Sequence, residues 1–470
     1  MAFPMIQTNL YDYDVYPKIV RAGRPAEITI RPTGGRQFWF PGQEYDLTIK
    51  ALFGGNPAQY PDSGCYETRK VRCDEDGCLR IRHTFEKEQE YFLDVAFADQ
   101  EGRPRKERFS VYCVAEDLWG MYPLMGDLHV HTTRSDGSQN PATVCANYRR
   151  HGYDFMVISD HRRYYPSLEA IRAYEDVPTE LCIVPGEEVH MPLVHGRMII
   201  PHIVNFGGNY SINALVDRDD VEKIAQEPEN RCAEGECPPM LSQEAFEQAI
   251  DAKAAEVAPH LPEGVDSLNA GGVEWIFDQI RKAGGLGIYP HPTWISDTFH
   301  VPDVLHRYIV DHRLFDAFEV LGGENYFEQN GYQTVQYYED RALGHRYPVV
   351  GSTDSHSSYP TNRNAYICST IVFAPENNRQ ALIDAIKDFR SVAVDTISAE
   401  FRLVGEMRLV RYGCFLLKNY FPLHDEACAE EGRLMKQAVT GAPEEQAEAR
   451  RTLSVLHGRM ARMRQKYFAF

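Results

Sequence analysis

Twelve consecutive residues, Gly126 to Gly137 (GDLHVHTTRSDG), hold two histidines and two aspartates at what reads as the end of a buried strand. Side chains two apart on a strand face the same way, so Asp127, His129 and His131 are expected on one side. Neutral imidazoles are the commonest metal ligands, and a nearby carboxylate orients them or shares the ion. Taken alone, an HxH pair is better explained as a chance pair on a polar strand face. Recurrence changes that reading. YDFMVISDH ends in Asp160 and His161, LCIVPGEEV in Glu187 and Glu188, RMIIPHIVNF contains His202, LGIYPHP ends at His291, and YPVVGSTDSH closes on Asp354 and His356.

Nine residues therefore stand at or just past the C-terminal ends of expected strands: His129, His131, Asp136, His161, Glu188, His202, His291, Asp354 and His356. That is the rim on which α/β barrels build active sites. Six histidines and three carboxylates exceed one four-coordinate ion. They suit two or three divalent ions sharing a bridging carboxylate.

The elements that must position these residues alternate. Asn140-Pro141 predicts an N-cap with proline at the first helical position, and PATVCANYRRHG runs from there to Gly152 as a C-cap. About seven strands, most linked by helices, predict a (β/α) barrel over residues 119–400. Ahead of it, over 1–118, short alternating runs (AEITIRP, YDLTIKALF, CLRIRHTF, YFLDVAFAD, RFSVYCVAE) separated by turn-rich pieces such as GGNPAQYPDSG and DEDGC predict an all-β, sandwich-like domain. Cys73 and Cys78, flanking DEDG, read as two thiols beside a hairpin turn rather than a metal site.

Residues 207–270 leave the barrel pattern. They are acidic, carry a CxxxxC (Cys232, Cys237) and one helix, SQEAFEQAIDAKAAEV. Emerging near the candidate ligands, this insertion is either a lid or substrate-selecting element, or a peripheral decoration or oligomer contact. From about Asn377 helical periodicity dominates, and 401–470 is expected to be a C-terminal helical extension.

Composition limits the partners. The 470 residues carry a net charge of −19, which argues against a nucleic-acid backbone as ligand. The start, MAFPMIQTN, does not read as a signal peptide, and no apolar run has the length of a bilayer span, so no membrane association is expected. Eleven scattered cysteines, among them Cys182 and Cys368 in core-like segments, suit reduced thiols in a cytoplasm. A small-molecule substrate is the expected partner, and a homo-oligomer is left open.

The order HxH…D, SDH, GxE, a lone His, HP, DxH resembles the polymerase and histidinol phosphatase (PHP) family of metal-dependent hydrolases over about Leu124–Ala374. The resemblance implies an α/β fold with a distorted seven-stranded (β/α) barrel and a di- or trinuclear centre of zinc, manganese or iron. By it, His129, His131 and Asp136 match the first motif and His161 the second. Glu188 matches the bridging carboxylate, preferred to Glu187 because the pattern is G-x-E. His202, His291, Asp354 and His356 match the remaining ligands. The β-rich front domain before GDLHVHT looks most like the carbaryl-hydrolase-type branch.

Such a centre makes hydroxide available near neutral pH, bridged between ions and aimed at phosphorus or a carbonyl carbon. Asp127 and Asp160, beside ligating histidines, are candidates for orientation or proton transfer, with plain strand-end hydrogen bonding as the alternative. Arg134, Arg162 and Arg197 are candidates for binding a phosphate, and each has a structural salt bridge as its alternative. Trp294 is a candidate apolar wall for an aromatic leaving group, or simple packing. The leading expectation is a phosphoesterase acting on a small phosphate ester. A carbamate, amide or carboxylic ester hydrolase stands second, and a non-catalytic metal-stabilised binding protein third.

Overall fold

Alternation of apolar and polar residues sets the first quarter of the chain. In the computed structural model, which describes residues 9–33, 39–53, 66–98, 101–295, 297–322, 327–361, 365–396 and 402–470, it produces eight strands. These are β1 (Tyr13–Tyr16), β2 (Ile19–Arg21), β3 (Pro25–Pro32), β4 (Glu44–Ala51), β5 (Glu67–Arg72), β6 (Leu79–Thr84), β7 (Gln89–Ala98) and β8 (Pro104–Val114). They form two sheets, ordered β1-β3-β6 and β2-β8-β7-β4-β5. Ile28, Ile30 and Ile81 of one sheet and Leu47, Leu93 and Val111 of the other share one apolar core around Trp39. The GGNPAQYPDSG segment and the first eight residues of the chain lie outside the described residues.

Two compact units divide the chain, at boundaries other than those expected. One comprises residues 1–121, 407–427 and 458–470, and the other 122–406 and 428–457. The C-terminal helices are thus not one extension. Helix α9 (Met407–Asn419) and helix α12 (Arg459–Tyr467) belong to the β-rich unit. There Tyr412 stacks on Tyr112 with ring centroids 4.8 Å apart, Arg408 binds Glu88 and Asp117, and Phe468 bridges to Ile19. Helix α10 (Phe421–Thr440) and helix α11 (Pro443–Leu456) lie between them in sequence.

In the second unit, β9 (Tyr122–Asp127) leads through α1 (Pro141–Arg150) to β10 (Phe155–Val157), and α2 (Tyr165–Ala173) follows. Asn140 caps α1 as predicted, accepting from the Thr143 N–H at 2.9 Å. The run LCIVPGEEV then divides into β11 (Cys182–Val184) and β12 (Gly186–Val189). Pro185 has no N–H to give a ladder, so it separates the two pairings. β11 pairs with β10, while β12 pairs with β13 (Ile203–Phe206). Gly186 is required at this junction, since a Cβ there would lie 2.4 Å from Val157 Cγ2 and 2.5 Å from the Asn205 carbonyl oxygen.

The insertion folds as α3 (Pro228–Arg231), α4 (Gln243–Val257) and short turns, ahead of α5 (Ser267–Lys282). Phe246 and Ile250 of α4 share a core with Trp275 and Ile276 of α5. Then come β14 (Leu286–Tyr289), α6 (Asp303–Asp311), β15 (Ala317–Leu321), α7 (Phe327–Ala342), β16 (Val349–Gly351), β17 (Cys368–Ala374), α8 (Arg379–Lys387), β18 (Ser391–Asp395) and β19 (Arg402–Gly405). The strands beyond Asn377 depart from the helical expectation. Their segments are short and buried, apart from Arg402 at the start of β19, rather than periodic.

Regular pairing yields two open sheets, β11-β10-β9-β17-β18-β19 and β12-β13-β14-β15-β16, and not the closed ring expected. β13 runs antiparallel to both neighbours. Two single parallel bridges, Val130↔Ser355 and His161↔Glu188, join the sheets. Leu124, Val157, Val184, Val204, Ile288 and Val350, drawn from both sheets, pack into one core cluster.

Cys232 and Cys237 form a disulfide, against the expectation of reduced thiols throughout; eight other described cysteines are free. Five residues apart on a short loop, the pair is close enough to bridge. Among the described residues no helix is long and apolar enough to cross a membrane.

Candidate metal centre

Chain ends of the parallel strands all arrive at one rim, and the cluster assembles there around the Glu188 carboxylate. Its Oε2 lies 2.5 Å from His161 Nδ1, 3.4 Å from His190 Nε2, and 3.6 Å from both His129 Nε2 and His131 Nε2. Its Oε1 lies 2.9 Å from His202 Nδ1 and 3.5 Å from His291 Nε2. Asp354 forms a second focus, with Oδ1 at 2.8 Å from His131 Nε2 and 3.3 Å from His129 Nε2. Asp136 forms a third, with Oδ2 at 3.3 Å from His356 Nε2 and 3.5 Å from His161 Nε2. All nine motif residues are therefore brought together. His202 reaches the rim for a topological reason: β13 is antiparallel, so its start lies where the parallel strands end.

Local backbone features fix this geometry. His131 N–H donates to the Ser355 carbonyl, and Glu188 N–H to that of Ser159, so the loops carrying the ligands bond to one another. Gly137 closes the first loop, where a Cβ would come within 2.7 Å of the His131 carbonyl. Arg162, His291 and Asp354 adopt positive φ values of 63°, 28° and 46°. Each such non-glycine residue costs on the order of 1–3 kcal/mol, a cost typically concentrated at functional sites.

Electrostatics couple the groups tightly. Burial opposes charge on Glu188, but His161, His202, His190 and His129 outweigh it and hold the carboxyl well below its ordinary range. Burial likewise opposes charge on His161, and Glu188 and Asp136 overcome it, raising the imidazole to about 10. Asp354 and Glu188 raise His129 in the same way against its burial. His190, desolvated and facing His202, is instead lowered to about 3. Both Glu188 oxygens, His129 Nε2, His131 Nδ1 and His202 Nδ1 are buried without a hydrogen bond. Buried polar atoms left so are costly, which marks them as donors for something the protein holds.

Asp127 and Asp160 do not join the donor set. Asp127 accepts from Thr353 N–H (3.1 Å), Thr353 Oγ1 (2.6 Å) and His129 N–H (3.2 Å). Burial pushes it up to about 7 against those bonds. Asp160 accepts from Thr132 N–H (2.8 Å), Thr132 Oγ1 (2.6 Å), Ser135 N–H (3.1 Å) and Ser135 Oγ. The two aspartates thus tie down the loops that carry His129, His131 and Asp136. Glu187 turns away from the cluster, accepting from Ser211 Oγ (2.7 Å), Asn213 Nδ2 (2.8 Å) and Ile212 N–H.

The three candidate arginines separate. Arg134 is engaged bidentately by Glu169, and Arg197 pairs through one contact with Asp266 at 2.8 Å. Only Arg162 stands at the cluster, lining a cavity of about 290 Å³ with Ser135, Asp136, His161, Arg163 and His190. Among the described residues its one ion pair, with Asp220, is loose at 3.6 Å. Trp294 borders the other side, its ring centroid 6.0 Å from that of His202 and 6.2 Å from that of His291.

Three neighbours of the cluster carried no sequence motif. Glu319 Oε2 lies 3.2 Å from His129 Nδ1, and its Oε1 accepts from the His291 N–H. His300 packs 4.7 Å from His202 between centroids and, desolvated, is lowered to about 4. His190 was readable in principle, being two residues beyond Glu188 on the alternation that marked His129 and His131. Glu319 lies mid-run in FDAFEVLGG and His300 in a loop, so neither had a signal.

No family model and no curated protein matches the sequence. Among solved structures, the chain is similar to a two-domain protein from Bacteroides vulgatus containing a predicted PHP-like metal-dependent phosphoesterase (16% identity over 58% of this chain, TM-score 0.38). It spans 65% of the length of that protein. It is also similar to a candidate metal-dependent phosphoesterase from Bifidobacterium adolescentis (18% identity, 50% of this chain and 90% of that one, TM-score 0.30). An amidohydrolase from Chromobacterium violaceum is a third (19%, 50% and 88%, TM-score 0.29). In the order of its motifs and the cluster they build, the chain resembles the PHP metal-dependent hydrolases.

Proposed function

We propose that this protein is a metal-dependent hydrolase, and within that class a phosphoesterase acting on a small phosphate ester. One observation carries the reading: a fully buried carboxylate, Glu188, has six imidazoles within 3.6 Å and no hydrogen bond to either oxygen. An anion so placed fits a bridge between cations. The surrounding nitrogen and oxygen donors suit zinc, manganese or iron. We read β9, β10, the β11–β12 run, β13, β14, β15 and β16, with the bridges that connect them, as one distorted seven-stranded (β/α) barrel presenting this centre at its rim.

Overlapping donor sets would divide two or three ions among them: His129, His131 and Glu188; His129, His291 and Asp354; and His131, Asp136, His161 and His356, with His161 also within reach of Glu188 and His202 beside it. Bound there, divalent ions supply Lewis acidity and an acidified water as nucleophile. The remaining work belongs to the chain. Glu319, facing His129 Nδ1, selects the tautomer that leaves Nε2 free as a donor. Asp127 and Asp160 keep the two ligand loops in register. Arg162, at the mouth of the cavity, exchanges its loose contact with Asp220 for the substrate's phosphate, binding it through two parallel N–H donors.

Hydrolysis of a carbamate, amide or carboxylic ester is the second reading, favoured by the Trp294 ring beside His202 and His291 and by the β-rich unit ahead of the motif, as in the carbaryl-hydrolase-type branch. Metal content, followed by turnover of paired chromogenic phosphate and carboxylate esters on one sample, separates the two. Phosphate turnover by protein holding two or three ions, abolished in His129→Ala, is the expected result. Carboxylate turnover alone would establish the second reading, and no bound ions after reconstitution would defeat both.

A further inference from the structure

β12 ends at Val189, so His190 is beyond the strand ladder and its position is imposed by other groups. Its N–H donates to Asn213 Oδ1 at 2.9 Å, and its carbonyl accepts from Arg218 Nη1 at 2.5 Å. Both partners are buried and both come from the insertion. Arg218 is itself fixed by a bidentate pair with Asp220, at 2.8 and 2.6 Å. Asn213 is fixed by donating to the Glu187 carboxylate and the Glu188 carbonyl. Two immobilised side chains thus hold one histidine's backbone from opposite sides.

The imidazole so placed points inward. His190 Nε2 lies 3.4 Å from Glu188 Oε2 and 3.1 Å from His161 Nδ1. Metal–nitrogen bonds of about 2.0–2.1 Å in tetrahedral geometry put neighbouring ligand atoms roughly 3.4 Å apart. His190 and its two neighbours match that spacing closely, and the third edge, His161 Nδ1 to Glu188 Oε2, is shorter at 2.5 Å. His190 Nε2 is also within hydrogen-bond distance of His161 Nδ1, but neither ring donates to Glu188 Oε2, which is left buried without a hydrogen bond.

We propose that His190 is a metal ligand of this centre, sharing one divalent ion with Glu188 and His161, and that the first part of the 207–270 insertion serves to place it. The proposal rests on the metal-centre reading above but adds a donor that the motif resemblance does not supply. It also gives the insertion a role distinct from a lid: Asn213 and Arg218 act as positioning residues for a ligand.

The test compares the full chain with His190→Ala and His190→Gln, the latter keeping side-chain volume and a polar end. Each protein is stripped with a chelator and reloaded with Zn²⁺ or Co²⁺. Ions per chain, affinity by competition with a chromophoric chelator, and the Co²⁺ absorption spectrum are the readouts, with thermal unfolding of the stripped proteins as the folding control. Both variants are expected to lose one ion per chain, or to hold it about 10–100-fold more weakly, with an altered Co²⁺ spectrum and unchanged unfolding of the stripped form. Wild-type protein that binds two or three ions while both variants match it in number, affinity and spectrum would overturn the proposal and leave the metal-centre reading standing. Wild-type protein that binds none would remove both.

Discussion

Glu187 and Glu188 are adjacent carboxylates with opposite environments. Glu188 faces six histidines and keeps both oxygens free of hydrogen bonds, whereas Glu187 is saturated by Ser211, Ile212, Asn213 and Asn205. Strand pleating produces this difference, since neighbours on β12 point to opposite faces. Substituting the two separates the roles. Glu188→Gln is expected to abolish stoichiometric metal binding and, because the histidines around it favour its charge, to lower the stripped protein's stability as well. Glu187→Ala leaves several buried donors without an acceptor, each worth about 1–3 kcal/mol. It should lower the unfolding temperature sharply. Metal analysis and calorimetry on the same preparations check both.

Glu319 acts on metal through His129. With its carboxylate 3.2 Å from Nδ1, it holds the ring so that Nε2 faces Glu188 and Asp354. Loss of such a partner typically costs about 10–100-fold in metal affinity. Glu319→Gln, which retains a hydrogen-bond acceptor, should cost less than Glu319→Ala. Chelator competition measures the difference, and equal affinity in all three proteins would show that His129 needs no orienting group.

How much of this was legible in the sequence depended on the range of the interaction. The nine motif residues were readable because each follows an apolar run whose end a strand pattern marks. Alternation likewise defined the β-rich unit, and the Asn140-Pro141 signal defined the start of α1. What escaped depends on contacts remote in sequence. Glu319 meets His129 across 190 residues, and nothing near it in the chain announces that meeting. The antiparallel direction of β13 and the strands β17 to β19 are set by packing against β9 and β14, not by local composition. The C-terminal helices read as one extension because their periodicity is continuous, while their partners differ: Phe468 bridges to Ile19, and Glu431 binds Arg149.

That last pair is a stability determinant. Arg149 is fully buried, donating to Glu431 at 2.7 Å, to Asp154 at 3.1 Å and to the Tyr153 carbonyl at 3.0 Å. Removing one partner strands a buried charge, at a cost of about 3–5 kcal/mol. Glu431→Ala should therefore destabilise severely, whereas Arg149→Met combined with Glu431→Leu should recover much of the loss. Urea denaturation of the three proteins gives the comparison, and a double variant no better than the single one would contradict it.

In the β-rich unit, Asp94 makes stability depend on acidity. Burial opposes its charge, but hydrogen bonds from Arg108 at 2.7 Å and Lys50 at 2.9 Å prevail and lower it from 3.8 to about 2. Because the folded state binds the proton less readily than the unfolded one, this contribution is full above pH 4 and is lost as pH falls through 2. A shift of that size corresponds to roughly 2 kcal/mol. Asp94→Asn should lower stability at pH 7 and flatten its slope between pH 4 and 2. An unaltered slope in the variant would assign the acid sensitivity to other carboxylates.

Arg162 distinguishes a phosphate site from a neutral-ester site. Arg134 and Arg197 are committed to Glu169 and Asp266, so Arg134→Ala and Arg197→Ala should leave KM for a chromogenic phosphate ester within about twofold. Arg162 lines the cavity beside Asp136 and His161, and among the described residues its ion pair is a 3.6 Å contact to Asp220. A bidentate charge-assisted contact is worth roughly 1.5–3 kcal/mol, so Arg162→Ala should raise KM for phosphate by about ten- to a hundredfold. Arg162→Lys should recover only part of this, because an ammonium cannot reproduce the planar fork. Turnover of a carboxylate ester by Arg162→Ala should change little, since a neutral acyl group gives the guanidinium no anion to bind. If all three arginine variants behave alike toward phosphate, the cavity lined by Arg162 is not where the ester's anion sits, and the Trp294 side of the cluster becomes the substrate face.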